Sequence, residues 1–181
     1  MAPVLESDRL QYRALTTAHL SMQYVLWLND VDVYKYMQTG GGYTLEMLKE
    51  YLKKVELDRN LLFWAIHLKE TGKHIGNIKI DPVFRVHGLG EYGIMIGDKA
   101  QWGKGYAREA TERVLSYCFE TEKLRKITLG VAKRNIPAVE LYRRIGFEVE
   151  GNYRKHVCYH GEYLDVLRMA IFNPAFKWEN E

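Results

Sequence analysis

The chain passes from a predicted strand, residues 91–96, into a predicted helix through Trp102-Gly103-Lys104-Gly105-Tyr106-Ala107. Two glycines in such a turn let the backbone come close to a ligand and direct successive N–H groups at it. The start of the helix adds about half a positive charge at the same end. The turn therefore suits an anion such as a pyrophosphate, with an ordinary tight turn as the alternative.

Two more common phosphate-binding fingerprints are missing from the sequence. There is no GxxxxGK[ST], and no GxGxxG that is followed about 20 residues later by an acidic residue at a strand end. An ATPase or a dehydrogenase is therefore disfavoured.

A second motif, residues 135–147, follows the next predicted strand. Asn135 can cap a helix, and Pro137 suits its first turn. Apolar residues then recur at helical spacing, at Ala138, Leu141, Tyr142 and Ile145. The pattern predicts a helix that ends at Gly146, and by periodicity alone Tyr142 is a packed aromatic.

Strand and helix patterns cover most of the remaining chain. Strands are predicted at residues 10–15, 61–68, 74–83, 91–96, 126–131, 147–153 and 163–171. Helices are predicted after the Thr16-Thr17 pair, from Thr44, from about Gly105 and over residues 136–145. The strand-helix-strand-helix-strand order over residues 91–153 predicts parallel pairing there, and hairpins elsewhere predict antiparallel pairing. The fold class is therefore α/β (α+β), a mixed sheet with helices on both faces.

Composition excludes several classes of protein. The 181 residues, 47% of them hydrophobic, suit a single domain spanning residues 1–181. A net charge of +3 from 26 basic and 23 acidic side chains gives no basic face for nucleic acid. Cys118 and Cys158 form no CxxC pair, which favours a reducing, cytoplasmic location. No apolar run approaches the roughly 18 residues of a membrane span.

The two motifs together resemble the GNAT superfamily of N-acetyltransferases. The likeness extends to Glu6-Ser7-Asp8-Arg9-Leu10, Trp27-Leu28-Asn29-Asp30 and residues 161–166, which resemble the branch of ribosomal-protein, polyamine and nucleotide-amino-sugar acetyltransferases. The sequence departs from the family at Trp102, where Gln or Arg is usual.

The resemblance implies a mostly antiparallel central sheet of about seven strands and acetyl-CoA as cosubstrate. In such enzymes the strand before the turn splays from its neighbour, the pantetheine lies in the gap, and the turn receives the pyrophosphate. The residues implied in coenzyme binding are Ile94, Met95, Ile96, Trp102, Gly103, Lys104, Gly105, Tyr106, Ala107, Asn135 and Tyr142. Tyr142 is expected near the sulfur.

Direct acetyl transfer to an amine needs no covalent intermediate. It needs a neutral amine, a polarised thioester carbonyl and a proton for the departing thiolate. Tyr142 is the predicted acid, and a backbone N–H of Met95 or Ile96 is predicted to meet the oxyanion. Glu91 is the predicted carboxylate base, with a solvated glutamate and a water chain as alternatives.

The acceptor is predicted to be a small-molecule amine, an amino-sugar nucleotide or a polyamine. Four aromatic residues could surround it or could simply fill the core: Trp27, Tyr34, Tyr36 and Tyr43. Asp165 is a further candidate for acceptor binding. The alternatives are acetylation of a protein N-terminus and a non-catalytic acyl-CoA-binding module.

Two histidines and the final segment bear on metal and subunit partners. His156 and His160 would lie about 13 Å apart on a strand that rises about 3.3 Å per residue, so no metal is predicted. The final segment, residues 172–178, could pack on another subunit in a homodimer.

Overall fold

The computed structural model describes residues 1–37, 41–159 and 161–177. These residues form one eight-stranded sheet in the order β1-β2-β3-β4-β5-β6-β8-β7. The strands are β1 (Leu5–Glu6), β2 (Leu10–Ala14), β3 (Leu62–Leu68), β4 (His74–Phe84), β5 (Leu89–Ile96), β6 (Lys126–Ala132), β7 (Glu148–Tyr159) and β8 (Glu162–Phe172). The helices are α1 (Met22–Asn29), α2 (Val31–Tyr34), α3 (Leu45–Leu57), α4 (Tyr106–Glu120) and α5 (Ile136–Ile145).

The predicted mixed and mostly antiparallel sheet is confirmed. Only β5 and β6 pair in parallel among the described strands. The sheet has eight strands rather than about seven because β1 adds a two-residue pairing to β2, Leu5 with Tyr12 and Glu6 with Gln11. A strand this short carries no readable alternation.

The predicted parallel pairing holds for β5 with β6 but is wrong for β6 with β7. Strand β8 lies between them and pairs antiparallel with both. The reason is burial, because β8 contributes apolar residues such as Val166, Leu167 and Met169 to the interior, whereas β7 is mostly exposed. The more apolar strand takes the inner position and the polar one takes the edge.

Helices cover both faces of the sheet, as predicted. On the face that we call the rear, α4 and α5 pack with Trp64 and Ile66 of β3. On the front face, α1 and α3 pack with Phe63 and Ala65 of the same strand. This alternation along one strand separates two hydrophobic clusters.

Local signals placed the helix ends with one error. Thr44 caps α3 and the left-handed Gly146 ends α5, as predicted. Thr16 instead caps a short 3-10 turn, Thr17–His19, and Ser21 caps α1 through the Tyr24 amide at 3.2 Å. The pair of threonines does not begin α1 because Leu20 is extended and breaks the helix before it.

Three histidine rings meet on the front side of the sheet. The ring centroids of His19, His67 and His74 lie 5.2–5.4 Å apart. Burial lowers the pKa of His67 and that of His74 to about 4, so both rings are neutral at physiological pH, and His74 Nε2 is hydrogen-bonded to the Asn77 side chain at 2.9 Å. The three come from separate elements, which is why no sequence pattern indicated the cluster.

No described helix is long and apolar enough to cross a membrane.

Candidate active site

Strands β5 and β6 are paired at one end and part at the other. Their pairing is limited to Leu89 with Lys126, Gly90 with Ile127 and Glu91 with Thr128. Beyond this point β5 continues along β4, and β6 continues along β8. The two strands therefore enclose a wedge that is open between residues 92–96 and 129–132.

Alternation of the backbone decides which groups of β5 face the wedge. The Gly88 carbonyl accepts from the Lys126 amide at 3.1 Å, and the Gly97 amide donates to the Ile75 carbonyl at 3.0 Å. The backbone N–H and C=O groups of even-numbered residues of β5 therefore point towards β6, and those of odd-numbered residues point towards β4. The backbone groups of Ile94 and Ile96 face the wedge, whereas those of Met95 belong to the ladder with β4.

The glycine turn lies at the open end of the wedge. Gly103 and Gly105 have φ of 74° and 82°, which an L-residue adopts only with strain. Gly105 is the N-cap of α4 and supplies no side-chain cap. A Cβ on Gly103 would meet nothing within 4 Å. The turn is thus open beside Gly103, and the first N–H groups of α4, which have no partner within the helix, can receive an anion.

The other side chains of the turn fold back on the protein. The Trp102 indole N–H donates to the Ile96 carbonyl at 2.7 Å, and the Lys104 ammonium donates to the Gln101 side chain at 3.0 Å. Trp102, which departs from the family pattern, thus ties the turn to the end of β5.

Arg9 is a residue of this site that the sequence did not single out. Its guanidinium donates to the Lys104 carbonyl at 3.0 Å and lies 4.4 Å from the centroid of the Tyr106 ring. In the sequence, Arg9 stands out only as part of the family resemblance of residues 6–10. Its contact with the turn, 95 residues away along the chain, exists only in the folded protein.

Tyr142 lies at the narrow end of the wedge on the rear face. Its ring packs against Tyr92 and Phe147, each with a centroid distance of 5.7 Å. Only 8% of Tyr142 is exposed, and burial raises its pKa to about 12. The neighbouring Tyr92 hydroxyl bonds Thr111 at 2.6 Å, whereas no described residue hydrogen-bonds the Tyr142 hydroxyl. The phenol therefore keeps its proton at physiological pH.

Glu91 lies at the narrow end on the opposite, front face. Arg168 of β8 donates to both of its carboxylate oxygens, at 2.7 and 2.6 Å, and the Thr128 hydroxyl donates to one of them. Gly130 makes room for this pair, because a Cβ there would lie 2.9 Å from Arg168 Nη1. The carboxylate thus joins β5, β6 and β8 where the wedge begins.

Asn135 stands on the other wall of the wedge, just beyond β6. It occupies the N-cap position of α5, but its side chain makes no capping hydrogen bond. Asn135 is thus the N-cap residue, as predicted, but without the side-chain hydrogen bond; Pro137 in the first turn removes one of the two amides from which such a cap can accept. The Asn135 side chain is left half-buried beside the wedge.

The four aromatic residues expected around the acceptor have different surroundings in the structure. Trp27 is only 3% exposed and packs in the front cluster. Tyr36 instead extends to the C-terminal hairpin, where the Tyr159 hydroxyl donates to the Tyr36 carbonyl at 2.9 Å. Tyr34 and Tyr43 are half-buried. The contact between Tyr36 and Tyr159 bridges the front of the molecule.

Asp165 of β8 is hydrogen-bonded to residues of the neighbouring strand β7. Asp165 accepts hydrogen bonds from the Lys155 amide at 2.9 Å and the Asn152 side chain at 3.1 Å. Across residues 1–37, 41–159 and 161–177, no group of three or more His, Cys, Asp or Glu is arranged to hold a metal. His160 lies outside the described residues, and the absence of a metal stays a prediction.

Comparison with known proteins decides the family. A model described as an acetyltransferase (GNAT) domain matches residues 9–148. The chain belongs to the GNAT acetyltransferases. The resemblance inferred from the two motifs is confirmed, and the protein is an acetyl-CoA-dependent N-acetyltransferase.

Three relatives illustrate the relationship. The spermidine N(1)-acetyltransferase of Escherichia coli strain K12 is 33% identical over 110 residues, which span 61% of this chain and 59% of that enzyme. The crystal structure of spermidine N-acetyltransferase from Vibrio cholerae, in complex with CoA and spermine, has a TM-score of 0.85 at 29% identity. That match covers 92% of this chain and 97% of the other. Ribosomal-protein-S5-alanine acetyltransferase from Vibrio fischeri shares the fold, with a TM-score of 0.83 at 20% identity over 97% and 99% of the two chains.

The contacts of Glu91 predict a structural ion pair. A double-mutant cycle with Glu91→Gln and Arg168→Met should give a coupling energy of about 1–2 kcal/mol in urea unfolding, since the pair is bidentate and about two thirds buried. The exposed pair of Glu50 and Lys53 on α3 is the control, with an expected coupling of about 0.5 kcal/mol or less.

Activity separates the two roles of Glu91. If Glu91 acts only as a partner in the structural ion pair, both single variants lose acetyl transfer to a similar extent. If Glu91→Gln alone loses activity while Arg168→Met keeps it, Glu91 is the base and the structural interpretation is wrong.

Proposed function

We propose that the wedge and the glycine turn bind acetyl-CoA, and that the acetyl group passes directly to a primary amine in a ternary complex. The parting of β5 and β6 carries this proposal, because it leaves the Ile94 and Ile96 backbone facing a gap that ends at the turn. An extended pantetheine arm attached to a diphosphate has the matching shape. Residues 102–107 would hold the diphosphate, and Asn135 would line the opposite wall.

The residues of the wedge fit the chemistry that acetyl-CoA supplies, an acetyl group activated as a thioester. The Ile96 amide is the better donor to the developing negative charge on the acetyl oxygen, since the Met95 amide belongs to the ladder. Tyr142 is our candidate for protonating the leaving sulfur. Its buried phenol retains a proton to donate, because its pKa lies at about 12.

The amine itself must lose a proton before or during attack. Glu91 stays the predicted carboxylate base, but its two oxygens already accept from Arg168 and Thr128. These contacts favour the alternatives, in which Glu91 is structural and water takes the proton. For an amine with a pKa near 10.4, acetyl transfer would then become faster as the pH rises towards that value, because more of the amine is neutral.

We propose a polyamine as the acceptor, ahead of an amino-sugar nucleotide. The relatives that are named for their substrate include spermidine acetyltransferases. The amine would enter from the front, because α4 and α5 cover the rear face. The bridge between Tyr36 and Tyr159 across the front favours a small acceptor over an extended peptide.

Other interpretations remain open to test. Acetylation of a protein N-terminus is the alternative acceptor class, and a non-catalytic acyl-CoA-binding module is disfavoured by the free Tyr142 hydroxyl. A cytoplasmic location, a homodimer, a single domain over residues 1–181 and the lack of a nucleic-acid partner stay predictions.

Binding of acetyl-CoA should raise the melting temperature, since a ligand of the folded state stabilises it by about 2.7 kcal/mol at 100 times its Kd. NADH and ATP should have no effect. Gly105→Val should abolish the rise, because it places a β-branched side chain in the turn at φ 82°. Gly72→Val, at φ 68° in the β3–β4 turn, imposes similar backbone strain and should keep the rise. Absence of a shift in the native protein would refute coenzyme binding.

Tyr142→Phe should keep the fold and coenzyme affinity but lower kcat by about 10² to 10⁴, or somewhat less. The ring still packs against Tyr92 and Phe147, and only the proton donor is lost. The measurement is single-turnover acetyl transfer alongside CoA titration. Turnover at the native rate, with chemistry shown to be rate-limiting, would make Tyr142 a core aromatic only.

A thiol-release screen should identify the acceptor. We expect turnover with spermidine and spermine, and less with amino-sugar nucleotides and aminoglycosides. Peptides with free N-termini are the comparison class. Activity confined to peptides would overturn the ranking of acceptors while leaving the acetyltransferase assignment intact.

A further inference from the structure

A guanidinium group from the N-terminal end of the chain lies against the glycine turn. Arg9, just before β2, donates from Nη1 to the Lys104 carbonyl at 3.0 Å. Its Cζ stands 4.4 Å from the centroid of the Tyr106 ring. Its Nη2 lies 3.6 Å from the position that a Cβ on Gly105 would take. The positive charge of Arg9 is thus fixed at the N-terminus of α4.

Glu109 of α4 holds Arg9 in this place. Its carboxylate accepts from the Arg9 amide and from Arg9 Nε, each at 2.8 Å, and from the Ser7 hydroxyl at 2.7 Å. Burial opposes ionisation of Glu109, but these hydrogen bonds and the guanidinium charge outweigh it and lower the pKa of the carboxyl. Glu109 therefore stays anionic at neutral pH and fixes the inner edge of the guanidinium.

The outer edge of the guanidinium remains available for a ligand. Of its five N–H groups, that of Nε and one on Nη1 have the partners just named. The two on Nη2 have no partner within the described chain, and Nη2 is the nitrogen beside Gly105. The side chain is 45% exposed, so an incoming anion can reach it. A planar guanidinium edge matches the oxygens of a phosphate.

The turn's own long side chains point elsewhere. The Trp102 indole is bonded to the Ile96 carbonyl, and the Lys104 ammonium is bonded to Gln101. Among the described residues, Arg9 is therefore a cation that is held at the mouth of the turn by a contact with the turn itself.

We propose that Arg9 is a binding residue for the diphosphate of acetyl-CoA, donating from Nη2 beside the α4 N-terminus. The assignment rests on the proposed function, since it requires the coenzyme to occupy the turn. The contact between the N-terminal segment and α4 then serves coenzyme binding as well as stability, because it places the positive charge of Arg9 beside the glycine turn.

The test is titration of CoA into the native protein, Arg9→Met, Arg9→Lys and Arg113→Met. Arg113 is the matched control, because it also ties α4 to the N-terminal segment, through the Glu6 carbonyl at 2.8 Å, but stands two turns away from the glycines. We expect Arg9→Met to weaken CoA binding about ten- to a hundredfold, the range for a hydrogen bond to a charged group. Arg113→Met should bind like the native protein.

Two further measurements separate ligand contact from a structural role. The affinity of Arg9→Met should depend less on salt than that of the native protein, since one ion contact is gone. Dephospho-CoA lacks the 3′-phosphate. The change Arg9→Met should weaken binding of dephospho-CoA as much as it weakens binding of CoA. A loss limited to CoA would overturn the assignment to the diphosphate.

Melting temperatures show which variants are folded. If Arg9→Met does not fold, Arg9→Lys carries the test, because it keeps a cation beside Glu109 but lacks the guanidinium fork, and it should still bind CoA more weakly. Native affinity in a folded Arg9 variant, or equal weakening in Arg113→Met, would overturn the proposal. Failure of the native protein to bind CoA would instead refute the proposed function, and is seen before any variant is compared.

Discussion

The parting of β5 and β6 is the constraint on which the rest of the site depends. Two strands that pair for three residues and then separate leave backbone groups unpaired inside a folded sheet, an arrangement that needs partners from elsewhere. Strands β4 and β8 pair with the outer edges of the two strands. The Glu91–Arg168 pair fixes the point where separation begins.

The two faces of the sheet give the narrow end of the wedge two chemically different sides. Because residues 91 and 92 are consecutive on β5, one contacts a charged network and the other an aromatic cluster. The Glu91 side is polar, and both carboxylate oxygens of Glu91 accept hydrogen bonds from Arg168. The Tyr142 side is apolar and leaves one hydroxyl without a partner from the described chain. Such an environment keeps the phenol neutral and able to act as a donor.

The open end of the wedge joins parts of the chain that are far apart in sequence. Trp102 donates a hydrogen bond to the last residue of β5, and Arg9 contacts the turn from the segment between β1 and β2. Tyr36 and Tyr159 approach each other from the turn after α2 and from β7 on the front. The site therefore depends on the whole sheet and not on the two motifs alone, which is consistent with a family match over most of the chain.

The sequence by itself determined the features that depend on neighbours along the chain. Helix α5, its end at Gly146 and the glycine turn before α4 follow from local capping, periodicity and positive φ, and they were enough to indicate the family. Only the tertiary structure decided the rest. The place of β8 between β6 and β7, the partners of Glu91 and the approach of Arg9 to the turn join distant segments. Such contacts are chosen by burial and strand pairing across the whole sheet, and no local pattern encodes them.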